Sequence, residues 1–156
     1  MLAFTVTPIG VVRSSRVEAI EDDWDRVDAT ITIDAEQFGV DALAGLEAFS
    51  HLEVVYVFDQ VDPAKVQSGA RHPRGNTNWP KVGIFAQRAK ARPNRIGVTT
   101  CRLLAVDGRI LTVHGLDAID GTPVLDLKPY MSEFGPRGDV QQPPWSRELM
   151  SSYWIQ

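Results

Sequence analysis

An antiparallel β-barrel or sandwich is the fold class these 156 residues predict, on three observations. Short β-branched and apolar runs recur along the chain with turn residues between them. One run, His51–Phe58, is apolar on both faces, as suits a central strand. Two more flank Asp107-Gly108 at hairpin spacing, and only one brief helix interrupts the series before the tail.

Taken in order, Phe4–Val12 reads as an opening strand with Pro8-Ile9-Gly10 as a kink or bulge. The acidic stretch Glu21-Asp22-Asp23-Trp24 lies in a loop. Val27, Ala29, Ile31 and Ile33 alternate with polar neighbours, the period of a half-buried strand. Asp41–Leu46 forms a short helix that Gly45 keeps short. In the next strand Leu52, Val54, Tyr56 and Phe58 share a face. Gly69–Pro80 is a long loop, the kind that often carries function. Val82–Ala86, Ile96–Val106, Arg109–Val113 and Val124–Leu127 complete the strands, with a loop over Asp117–Thr122. In the tail, Trp145, Leu149, Met150, Tyr153 and Trp154 share a helical face with Ser146 at the N-cap, and suit core packing or a subunit contact.

Composition narrows the class. A chain that is 44% hydrophobic suits one cored domain, and no apolar run reaches the ~20 residues of a membrane span. The first residues lack the features of a signal peptide, and the single cysteine, Cys101, forms no intrachain disulfide and reads as a small buried hydrophobe. The cytoplasm is the expected compartment. His51, His72 and His114 lack metal-ligand spacing, so no metal site is expected.

Charge is distributed unevenly. The net charge is −4, yet Pro63–Val106 holds no Asp or Glu and nine basic residues: Lys65, Arg71, Arg74, Lys81, Arg88, Lys90, Arg92, Arg95 and Arg102. A positive stretch on an acidic protein suits a polyanion site, and it also suits a solvated loop. Within it, Pro93 fixes its own dihedral, Asn94 can donate and accept, and Gly97 permits close approach of a ligand. Asp117 and Asp120 set two carboxylates three residues apart around a turn.

Five blocks now stand in order: Gly45–Leu52, Val57–Gln60, Val82–Arg88, Arg92–Gly97 and Asp120–Tyr130. With Pro8–Ser14 before them, they resemble the TrmO family (TsaA-like or YaeB-like proteins) over most of the chain, from Pro8 to Tyr130. The resemblance implies a single-sheet antiparallel β-barrel, a homodimer, and S-adenosylmethionine as cofactor. It further implies methyl transfer to N6 of threonylcarbamoyl-adenosine at position 37 of tRNA. Carried over by position, cofactor contacts fall on Asp59, Gln60, Arg88, Val98, Asp117, Ala118, Ile119 and Asp120. Arg92, Asn94, Lys128 and Tyr130 match signature positions; Asp120, Asn94 and Tyr130 are the catalytic candidates. The substrate contacts expected are Arg71, Arg74, Lys90, Arg92, Asn94, Arg95 and Lys128. Residues 1–135 make up the barrel domain and 136–156 a C-terminal extension, helical and packed on the barrel or on a partner subunit.

Departures from the family pattern are specific. Asp59 stands where many members have His, and Arg95 replaces the second proline of the usual Arg-Pro-Asn-Pro-Ile-Gly. Glu21–Trp24 lies where a Pro-Arg-Gln cofactor segment is usual, and the extra C-terminal domain of larger bacterial members is not matched. Two rivals remain: methylation of another acceptor, small molecule or RNA, and a non-catalytic RNA-binding barrel. Asp117 and Asp120 argue against the second, because carboxylates repel phosphates.

Overall fold

The computed structural model describes residues 1–154. Six strands close into an antiparallel barrel: β1 (Gly10–Ser14), β2 (Asp28–Ile33), β3 (His51–Val57), β6 (Ile96–Asp107), β7 (Ile110–His114) and β8 (Pro123–Pro129). Their order around the barrel is β1-β2-β7-β6-β3-β8. Two two-residue strands, β4 (Ala70–Arg71) and β5 (Val82–Gly83), pair outside it. The single-sheet barrel is the fold expected.

Alternation accounts for the closure. On β2, Ala29, Ile31 and Ile33 turn inward while Asp28, Thr30 and Thr32 turn out. On β3, Leu52, Val54 and Tyr56 are buried, and the strand lies between β6 and β8, which makes it central as predicted. With Val12, Cys101, Leu111, Val113, Leu116, Ala118 and Val124 these side chains form one core inside the barrel. The β6–β7 turn falls at Asp107-Gly108, where Gly108 takes a positive φ of 57°.

Five expectations need correction. Of Phe4–Val12 only Gly10–Val12 is strand, the start of β1: pairing with β2 begins at Gly10, and Met1–Pro8 is exposed, with no neighbouring strand among the described residues reaching it and no N–H on Pro8 to donate. Asp41–Leu46 is two 3₁₀ turns, Val40–Leu43 and Leu46–Ala48, interrupted at Gly45. The loop Gly69–Pro80 contains β4 and a further turn, Pro73–Gly75. Val82–Ala86 contributes only the two strand residues of β5 before turning through Ile84–Ala86, which buries Ile84. In the tail, helix α1 (Pro144–Leu149) starts two residues before Ser146, whose Oγ donates to the Pro143 carbonyl at 2.7 Å rather than capping. A 3₁₀ turn, Met150–Ser152, follows. The expected extension also includes residues 155 and 156, which lie outside the described residues.

Candidate active site

One carboxylate organises one end of the barrel. Asp117 follows β7 on the loop between Leu116 and Ala118, which are buried in the core, so its half-buried side chain is drawn toward donors from the protein. It finds three. Tyr56, inward on β3, donates its hydroxyl to Oδ1 at 3.0 Å. Thr99, inward on β6, donates to the same oxygen. Tyr153, beyond α1, donates to Oδ2. Burial first, and then the Asp117 charge, push both tyrosine hydroxyls well above the ordinary phenol range, so both remain donors at neutral pH.

The Tyr56 ring reaches this position because Gly97 leaves space. A Cβ there would meet Tyr56 ring carbons at 2.6 and 2.7 Å and Phe58 at 2.9 Å. Gly97 was expected to admit a ligand; it admits the protein's own aromatic pair instead.

Arg88 adds the cation. Its Nη2 donates to the Val98 carbonyl at 2.7 Å, and its charge opposes the rise at both Tyr56 and Tyr153. Arg88, Val98 and Asp117, far apart in sequence, thus gather around one end of the barrel. Val98 itself points outward, 40% exposed.

The other end of the loop is held separately. Asp120 Oδ1 accepts from Ser14 N at 3.1 Å, its Oδ2 lies 3.8 Å from Arg13 Nη1, and its N–H donates to the Arg16 carbonyl at 2.8 Å. Ile119 receives the Thr122 hydroxyl at 2.8 Å on its carbonyl. Asp120 edges an open groove of about 380 Å³ lined also by Arg13, Ser14, Thr30 and Thr112; Arg88 and Asp117 do not line it. Asp59 and Gln60 are exposed just after β3 and bond to each other, Gln60 Nε2 to Asp59 Oδ2 at 3.0 Å. No hydrogen bond among the described residues joins them to the Arg88 cluster.

The basic residues take varied partners. Arg74 pairs with Glu21 and Asp22, each at 3.0 Å, and so ties the long loop to the acidic one. Arg92 donates to the Gln87 carbonyl at 2.7 Å and Arg95 to the Val61 carbonyl at 2.8 Å. Asn94 and Arg95 both adopt positive φ, 62° and 52°. Buried Gln87 gives its amide N–H groups to the carbonyls of Arg71 and Val82, while its Oε1 and Arg71 Nε have no partner among the described residues. Lys128 pairs with Asp126 at 2.7 Å, which raises its pKa. Tyr130 packs edge-on against His51, with centroids 6.5 Å apart. Among the described residues Lys81 and Lys90 have no side-chain partner, and no group of three His, Cys, Asp or Glu side chains is placed to hold a metal.

Tyr56, Thr99 and Tyr153 were missed as site residues. Tyr56 was read only as an inward strand residue and Tyr153 only as part of an aromatic face. A polar loop residue between two apolar ones, Leu116-Asp117-Ala118, was the signal that hydroxyl donors had to be found.

Comparison with known proteins agrees with this geometry. The tRNA-methyltransferase O N-terminal domain matches residues 20–135. A probable S-adenosyl-L-methionine-binding protein of Methanothermobacter thermautotrophicus is 39% identical over 137 residues, 85% of this chain and 94% of that one. The tRNA (adenine(37)-N6)-methyltransferase of Escherichia coli is 44% identical over 95 residues, 58% of this chain and 40% of that one. The human enzyme of the same name is 39% identical over 102 residues, 65% of this chain but only 23% of its own length. A crystal structure of TrmO from Pseudomonas aeruginosa superposes with a TM-score of 0.75 at 29% identity, covering 93% of this chain and 62% of that one. The domain match over most of the length, the relative covered to 94% and the shared barrel establish that this chain belongs to the TrmO family.

Proposed function

We propose that the chain is an S-adenosylmethionine-dependent methyltransferase that methylates N6 of threonylcarbamoyl-adenosine at position 37 of tRNA, acting as a cytoplasmic homodimer. The observation that carries this reading is the convergence of Arg88, Val98 and Asp117, three positions the family likeness gives to the cofactor, around one end of the barrel. Relatives that are a tRNA (adenine(37)-N6)-methyltransferase and a probable S-adenosyl-L-methionine-binding protein support the same activity.

The donor set fits the cofactor's chemistry. An amino-acid tail with one ammonium and one carboxylate needs an anion and a cation, and Asp117 and Arg88 supply them. Tyr56, Thr99 and Tyr153 occupy three of about four acceptor positions on Asp117, which leaves one. Gln60 offers an amide for ribose or adenine. The cofactor supplies a methyl group on a sulfonium; the chain's own task is to hold the acceptor nitrogen in line with it, and positioning of that kind lowers a barrier by ~7–11 kcal/mol. Of Asp120, Asn94 and Tyr130, Asp120 alone offers a carboxylate at the rim of an open groove, so it is the residue to accept the N6 proton. Lys81 and Lys90 lack partners among the described residues and are the readiest cations for tRNA phosphate. The outward side chains of Val55, Val57 and Ile96 form an apolar patch across β3 and β6, with Ile96 40% exposed; this patch is the proposed subunit contact.

A second reading, methylation of a small acceptor, is favoured by one observation: Arg74, Arg92 and Arg95 already hold the protein's own groups. Calorimetric titration with S-adenosylmethionine tests the shared premise, and absence of binding at near-millimolar concentration removes both readings. Incubation with unmethylated tRNA and mass spectrometry of its nucleosides then separates them: methylated threonylcarbamoyl-adenosine supports tRNA, and its absence from a cofactor-binding protein supports the small acceptor.

A further inference from the structure

The family domain ends at residue 135, yet the hydroxyl that completes the Asp117 cluster comes from residue 153. The segment from Gly135 to Trp154 returns across the barrel end as a strap and is fastened to three separate loops. Trp79 Nε1 donates to Glu148 Oε2 at 2.8 Å. Asp23 N donates to the Ser152 carbonyl at 3.1 Å and Trp24 N to the Tyr153 carbonyl at 2.9 Å. Tyr153 then donates to Asp117.

The first three contacts fix where the strap runs. The fourth differs in kind, because a strap that merely covered apolar surface would need a ring at residue 153 and no hydroxyl. With Tyr56 and Thr99 on Oδ1 and Tyr153 on Oδ2, both carboxylate oxygens are held and the side-chain torsion of Asp117 is set. The far end of the same loop is set by Ser14 and Arg16 through Asp120. Tyr153 also lies within electrostatic reach of Arg88.

We propose that Tyr153 is a positioning residue of the cofactor site: its hydroxyl orients the Asp117 carboxylate, and the strap forms a wall of that site from outside the family domain. This rests on the S-adenosylmethionine reading above. The test is calorimetric titration of S-adenosylmethionine into the unaltered chain, Tyr153→Phe, Asp117→Asn and the double variant. Tyr153→Phe keeps the ring and loses one hydrogen bond to a charged group, so Kd should weaken about tenfold. The double variant should bind no worse than Asp117→Asn alone, because the hydroxyl acts only through that carboxylate. In turnover, KM for the cofactor should rise while kcat holds.

An unaltered chain that binds no S-adenosylmethionine defeats the functional reading and this inference together. An unaltered chain that binds, beside a Tyr153→Phe variant of equal Kd or fully additive losses, defeats this inference alone and leaves a structural strap. If Tyr153→Phe does not fold, 3-fluorotyrosine incorporated into the otherwise unaltered chain reads the same contact. The Tyr153 fluorine resonance should shift on addition of S-adenosylmethionine, and a resonance that stays in place overturns the proposal.

Discussion

Gly97 and Arg95, two places apart in the signature loop, show how backbone geometry sets what a residue can be. A Cβ on Gly97 would sit 2.6 Å from the Tyr56 ring, and the ring cannot retreat without withdrawing its hydroxyl from Asp117. Gly97→Ala should therefore cost about 1–3 kcal/mol in urea unfolding, as overpacking does. Arg95 is the more instructive case, because the usual signature has proline there. Here its φ is 52° and its N–H donates to the Arg92 carbonyl at 3.0 Å. Proline can do neither, so Arg95→Pro should destabilise the fold by about 3 kcal/mol or more, measured in the same way. An unchanged midpoint would mean the loop re-forms around the family's proline. The sequence made both residues visible as signature positions. It left the intruding group at Gly97 open, since a strand pattern does not say which ring lies over which glycine.

Among the elements, β3 and the β6–β7 hairpin were legible because each carries its own signal, apolar faces in one and Asp107-Gly108 in the other. The opening segment was misread because a strand needs a partner as well as a pattern. Leu2, Phe4 and Val6 alternate correctly but remain exposed, and the first barrel hydrogen bond of this region is Ile9 N to the Val124 carbonyl at 2.8 Å. Removal of residues 1–7 should accordingly change stability by less than about 0.5 kcal/mol by chemical denaturation. A loss of several times that would restore the segment to the folded core. The strap was legible as an aromatic helical face. Its function was not, because the contact that matters joins residue 153 to residue 117 through tertiary structure alone.

For the whole molecule, charge was the clearest sequence signal and burial the decisive structural one. The acid-free stretch looked like a single basic wall, yet Arg74, Arg92 and Arg95 are held by Glu21, Asp22 and backbone carbonyls, which the linear pattern does not reveal. The barrel interior meanwhile encloses two weak acids, Cys101 and Tyr56. Burial first, and then the Asp117 charge, push the thiol from 9.0 up to about 12, and the same two causes raise Tyr56 from its ordinary 10.0. Below about pH 8 both groups are protonated whether the chain is folded or not, so neither makes stability depend on pH there. Above it the unfolded chain releases the Cys101 proton while the folded barrel keeps it, so the unfolded state holds fewer protons and stability falls by about 1.4 kcal/mol per pH unit. Tyr56 adds a similar slope once its ordinary value is passed, giving about 2.8 kcal/mol per unit from these two groups between about pH 10 and 11. Urea unfolding of the unaltered chain and of Tyr56→Phe across this range isolates the phenol. The variant should begin less stable at neutral pH, because Asp117 loses a donor, and then decline with a slope shallower by about 1.4 kcal/mol per unit. Parallel declines would show that Tyr56 ionises in the folded protein as it does in water, and that the Asp117 end of the barrel is open to solvent.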